Sequence, residues 1–94
     1  MENKEEQLMQ MGNDAEKLLE TEVFNSTINA MVDGAFQTFA NSKAEEVSIR
    51  EQTYHQYRAL VDLVGTLQQR VSIKNEIVAK NAKANNSDNN EEVE

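Results

Sequence analysis

From Phe24 the apolar residues recur as Phe24, Ile28, Met31, Val32, Ala35, Phe36 and Phe39. This alternating three-and-four spacing gathers them on one face of a helix. Gly34 interrupts that helix at a cost of about 1 kcal/mol relative to alanine, which asks for a closely packed neighbour, a partner's approach or a slight bend. Upstream, Leu8, Met11, Ala15, Leu18 and Leu19 form a shorter stripe, broken at Gly12-Asn13, a pair suited to stop one helix and start the next. Asn13 with Glu16 has capping spacing, and Thr21 is placed to cap a helix starting at Glu22. Residues 13–41 are therefore read as one helix, or as two with a kink near Thr21.

The chain turns at Asn41-Ser42-Lys43-Ala44-Glu45, where asparagine tolerates a helix end and Ser42 with Glu45 makes a capping box. A competing box at Ser48 and Glu51 would start the next helix later and lengthen the loop. That next helix carries Val47, Tyr54, Tyr57, Leu60, Val61, Val64, Leu67, Val71 and Val78, and Leu63, Ile73 and Ile77 widen its stripe. It is expected to run over about residues 44–80. Residues 85–94, polar and acidic, lack the apolar side chains that would offset their ordering entropy, and a disordered tail is expected there. The fold class that results is all-α, a long antiparallel helical hairpin, with residues 1–84 as one domain and 85–94 as tail.

Lengths and register sharpen this. At 1.5 Å per residue the long helix would reach about 55 Å, and one over 22–41 only about 30 Å. A fold-back at residue 43 pairs positions whose numbers sum to about 86, so that Phe39 meets Val47, Ile28 meets Tyr57, Phe24 meets Val61, Leu19 meets Leu67 and Leu8 meets Val78. The N-terminal segment is thus expected to cover the far half of the long helix. Each stripe is wider than one partner can hide, which predicts self-association into a homo-oligomer.

Composition adds constraints. The 94 residues include no cysteine and no proline and only three glycines. Disulfide frameworks and thiolate sites are excluded, and helix breakers are scarce. No stretch approaches the roughly 20 apolar residues a membrane span needs, and the acidic start Met1-Glu2-Asn3-Lys4-Glu5-Glu6 predicts no signal peptide, with Met1 opening the mature chain. The net charge of −8 divides as −7 over residues 1–46, +3 over 47–84 and −4 over 85–94. The total opposes nonspecific nucleic-acid binding. The division orients two antiparallel arms toward each other, although solvated pairs contribute only about 0–1 kcal/mol each.

Candidate chemistry is sparse. His55 is the single histidine, and without a second imidazole or a thiol it completes no transition-metal site. Carboxylate pairs such as Glu45-Glu46 and Glu91-Glu92 are read as solvated faces, because catalytic pairs require a cleft that splits their pKa values. The acidic stretch from Asp88 lacks the glycine-centred order of a calcium loop, and no phosphate-cradling or nucleophile motif appears. No enzyme, cofactor or metal is expected. Tyr54 and Tyr57 with Arg50, Arg58 and Arg70 are read as packing and ion-pairing residues rather than a nucleic-acid surface. Arg50 falls on the apolar stripe and is expected to be partly buried and paired, with Glu51 or Asp33 as partners, as a register device. The residues assigned to packing and interaction are Phe24, Ile28, Phe36, Phe39, Arg50, Tyr54, Tyr57, Val64 and Leu67, and Tyr57 and Val64 are expected to be buried.

The run Arg50-Glu51-Gln52-Thr53-Tyr54, followed by Arg58-Ala59-Leu60, Leu63 and Leu67 and preceded by Leu18-Leu19 and Val23-Phe24, resembles short helical proteins of tailed bacteriophages. Those proteins sit among virion-assembly genes and mostly carry no assigned activity. The resemblance covers roughly residues 15–75, with Phe39 where a tryptophan is frequent and an asparagine-rich tail of its own. It implies a chain made in the host cytoplasm, a place in the virion or its assembly, and other phage structural proteins as partners. The expectation is a non-enzymatic interaction protein that self-associates. The alternative is a small acidic phage protein that inhibits a host nucleic-acid-handling enzyme through a negative face.

Overall fold

The computed structural model describes the backbone of residues 3–93 and the side chains of residues 3–85. It is an all-α helical hairpin of three helices, α1 (Lys4–Glu20), α2 (Glu22–Ala40) and α3 (Val47–Val93), in which the long α3 packs against α1 and α2. The backbone of α3 continues to Val93, past the expected end near residue 80 and through residues 85–93, where a disordered tail is expected from the sequence; the side chains beyond the exposed Asn85 lie outside the described residues. The chain divides into two compact units, Met1–Glu16 with Leu67–Glu94, and Lys17–Thr66.

In the first unit, α1 lies against the later part of α3. The expected helix break at Gly12-Asn13 is absent: α1 is continuous, and it starts at Lys4, not near residue 13. Its start is legible in Asn3, whose side-chain oxygen accepts the Glu6 N–H at 2.7 Å, an N-cap. Gly12 has a packing role instead. It is buried, and a methyl group built on it would overlap Lys74 Cβ and come within 2.8 Å of the Arg70 carbonyl oxygen. The absence of a side chain lets the two backbones approach closely. Ala15 and Leu67 are buried in the same unit, and Leu8, Val71 and Ile77 are half-buried.

Lys74 is buried too. Its stem covers Gly12, and its ammonium donates to Glu16 Oε2 at 2.9 Å. The arrangement lets a charged residue occupy a seam position by burying its methylenes and pairing its head. Glu16 therefore serves this pair and not the capping role its spacing with Asn13 suggests. Asn81 donates to Glu5 at 3.0 Å. Gly12 with Lys74 and Glu5 with Asn81 both sum to 86, the register expected from the sequence.

In the second unit the kink near Thr21 is a full break between α1 and α2. Thr21 is the N-cap of α2 in extended conformation, yet its hydroxyl makes no cap bond to that helix. It donates backward to the Lys17 carbonyl at 2.9 Å, its N–H reaches the Leu18 carbonyl, and Asn25 Nδ2 takes the Leu19 carbonyl. Three carbonyls that would be orphaned at the end of α1 are thereby satisfied.

At the turn, Ser42 donates to the Phe39 carbonyl and so closes α2 rather than capping α3. The Glu46 carboxylate accepts the Lys43 N–H at 2.7 Å, and α3 begins at Val47, three residues later than expected. Neither serine box sets this start. Among the described residues no non-glycine residue has positive φ, so Asn41 ends α2 without the left-handed conformation.

The periodicity of α3 explains what is covered. Thr53, Leu60, Leu67 and Lys74 recur every seven residues and are buried or half-buried, the seam of a coiled-coil-like contact. Thr53 satisfies its buried hydroxyl by donating to the Ile49 carbonyl at 2.7 Å. Facing it, Ala35 is buried, and Phe24, Ile28 and Val32 are half-buried.

The glycines give opposite expectations. Gly12→Ala should destabilise the fold by about 1–3 kcal/mol, because the clash is with a backbone oxygen and a Cβ and outweighs the gain in helix propensity. Gly34 is exposed, with nothing within 4 Å of an added methyl, so Gly34→Ala should stabilise by up to about 1 kcal/mol. Urea unfolding of both variants checks the signs.

Candidate interaction surface

Along one side of the α2–α3 contact in the second unit runs a groove of about 550 Å³, lined by Asn29, Val32, Asp33, Ala35, Phe36, Phe39, Thr53, Tyr54 and Tyr57. Its floor is made of the small seam residues Ala35 and Thr53. Its walls are aromatic, with Phe36 and Phe39 from α2 and Tyr54 and Tyr57 from α3. A second depression, lined by Phe39, Val47, Arg50, Glu51, Tyr54 and His55, adjoins it toward the turn and shares Phe39 and Tyr54.

These walls are wet. Phe36 is 64% exposed, Tyr54 55%, Phe39 49% and Tyr57 41%. The expected burial of Tyr57 is therefore not found, although Val64, on the same stripe, is half-buried and Leu67 is buried. The reason is geometric. Thr53 and Ala35 occupy the contact line itself, and Tyr57 and Phe39 sit at its edge, where one partner helix covers only part of each ring. Phe24 and Ile28, nearer the contact line, are half-buried. Val47, Tyr54 and Val61 form a further seven-residue series on α3, and all three are exposed. At 100° per residue this series lies one step around from Thr53 and Leu60. The helix thus carries a second apolar seam beside the covered one.

Arg50 is half-buried, as the stripe predicted, but its partners are not carboxylates. The guanidinium donates to the Lys43 and Ala44 carbonyls and to Ser42 Oγ, with the bond to Ala44 at 3.0 Å. It braces the turn with the planar fork that only arginine offers. Sequence reasoning assigned Arg50 a structural role and missed the partners, because loop carbonyls leave no mark in residue identity. Arg58 pairs with Asp62 one turn along its own helix at 3.2 Å, not with the first arm. The ring of His55 meets Tyr54 edge-on, with centroids 5.9 Å apart.

The groove brings together Phe36, Phe39, Tyr54 and Tyr57 from the expected interaction residues. Arg50 lies beside it, and Phe24, Ile28 and Val64 serve the hairpin contact. Of the groove's lining residues Asp33 alone carries a formal charge. Among the described residues no group of three or more His, Asp or Glu side chains is placed to hold a metal ion, and no helix is long and apolar enough to cross a membrane. What the groove can do chemically is bury apolar surface. Comparison of the chain with protein-family models, curated proteins and solved structures gives no match.

Arg50→Ala should cost about 1–3 kcal/mol in urea unfolding, the scale of hydrogen bonds from a charged donor, and Arg50→Lys should restore only part of it, since an ammonium cannot bridge both carbonyls.

Proposed function

We propose that this chain is a non-enzymatic helical interaction protein that self-associates and, following its resemblance to the short helical phage proteins, acts in virion structure or assembly. The observation that carries the reading is the exposure of four aromatic rings along one groove, in a chain whose described apolar core comprises Ala15, Ala35 and Leu67. Contiguous apolar surface of this kind marks interaction sites. Two packed helices with such a small core gain most from a further layer of helices.

A second reading is favoured by charge. The chain carries −8 overall, and α2 holds Glu22 and Asp33 with no lysine or arginine. A negative face of that sort suits a small inhibitor that imitates nucleic acid on a host enzyme. Salt separates the readings, because apolar association between like-charged copies strengthens as repulsion is screened, whereas binding to a basic enzyme groove weakens.

Light scattering at tens of micromolar should give at least twice the 10.7 kDa chain mass, rising with salt. A particle of single-chain mass at every concentration and salt would remove self-association. Mass spectrometry of purified phage particles tests the virion assignment.

A further inference from the structure

We infer that the groove walled by Phe36, Phe39, Tyr54 and Tyr57 seats a second copy of this chain in a two-fold contact, aromatic wall to aromatic wall. This rests on the self-association proposed above and names the surface that carries it.

The area suffices. At the exposures found, the four rings leave roughly 400 Å² of surface open per copy, taking about 200 Å² for a whole aromatic side chain. Val47 and Val61, on the same exposed seam of α3, bring this past roughly 500 Å². Two copies together then offer over about 1,000 Å² for burial, which reaches the threshold for a specific interface.

The chemistry of the groove also favours a second copy over a charged partner. Asp33 is the only formal charge among its lining residues and Asn29 sits beside it, so neither an acidic nor a basic partner finds a set of complementary charges there. An isologous contact needs only one patch that complements itself, and rings that pair edge-to-face or offset satisfy this. The other flank of the α2–α3 contact makes a natural control. Ile49 and Leu63 are exposed to a similar degree, at 41% and 44%, and neither lines the groove. By helical phase they point well away from Tyr54.

The test compares the full chain with four variants, Phe36→Glu, Tyr54→Glu, Ile49→Glu and Leu63→Glu, by light scattering across concentration, with circular dichroism to verify helix content. The expected result is a dimer for the unaltered chain and both controls, and single-chain mass with retained helix for both groove variants. Phe36→Ala, which preserves helix propensity, is expected to raise the dissociation constant about tenfold or more. Should either groove glutamate lose helix content, this alanine variant decides the matter. If Phe36→Glu and Tyr54→Glu dimerise as the unaltered chain does, or if Phe36→Ala leaves the dissociation constant unchanged, the groove is not the seat, while self-association stands at another face. A single-chain mass for the unaltered protein at all concentrations would overturn both.

Discussion

Where the helices of this protein touch, the residues at the contact are mostly small: Gly12 and Ala15 of α1 in one unit, Ala35 of α2 and Thr53 of α3 in the other. Small residues let helix axes approach closely, and the approach is what gives the backbone and Cβ atoms of the seam their dispersion contacts. It also has a consequence for everything larger. In the second unit Ala35 and Thr53 hold the contact line, and the aromatics stand on its flanks, where each is only partly covered. The exposure of Phe36 and Tyr54 follows from their being the immediate chain neighbours of Ala35 and Thr53. The thin core and the aromatic groove are two outcomes of one packing choice.

The same closeness governs how polar groups are accommodated. Lys74 sits on the seam in the series Thr53, Leu60, Leu67 and is tolerated because its stem lies over Gly12, with its ammonium reaching Glu16. A side chain at position 12 would displace that stem. The breaks between helices are closed by side chains acting on backbone. Thr21 and Asn25 close α1, Ser42 closes α2, and Glu46 and Arg50 hold the turn before α3. Each replaces a bond that water would otherwise supply.

Much of this was legible in the residue pattern. Apolar spacing located α2 and α3, Thr21 marked the break, and the fold-back register near 86 matches Gly12 with Lys74 and Glu5 with Asn81. What failed has a common cause. Gly12 reads as a breaker, since glycine in a helix is locally a weakness, and only the facing helix shows that its lack of a Cβ is required. Ser42 and Glu45 have capping spacing, but the serine hydroxyl is spent on the preceding helix and Glu46 takes the role instead. Tyr57 lies on the stripe, yet stripe membership does not tell the centre of a contact from its edge when both residue types are apolar. The groove was only partly legible. Its aromatics are read from the sequence as packing and interaction residues, and of the four only Tyr57 is expected to be buried, where it is found 41% exposed.

Magnitudes decide which force would shape the proposed association. Each exposed ion pair, such as Arg58 with Asp62, contributes about 0–1 kcal/mol. Roughly 400 Å² of aromatic surface on each of two copies corresponds to about 20 kcal/mol of gross transfer energy, against roughly 4–15 kcal/mol for the freedom lost on association. The apolar gain is thus large enough to drive contact and close enough to its cost for smaller effects to matter. The net charge of −8 is one of these, since copies of like sign repel. At physiological ionic strength that repulsion decays over about 8 Å, shorter than the span of a helix pair, so acidic groups away from the groove weigh little on it. Asp33 is the exception, because it lies on the groove itself. A two-fold contact must keep both copies of this carboxylate at the wet rim, and that requirement restricts how the two aromatic walls can be laid together.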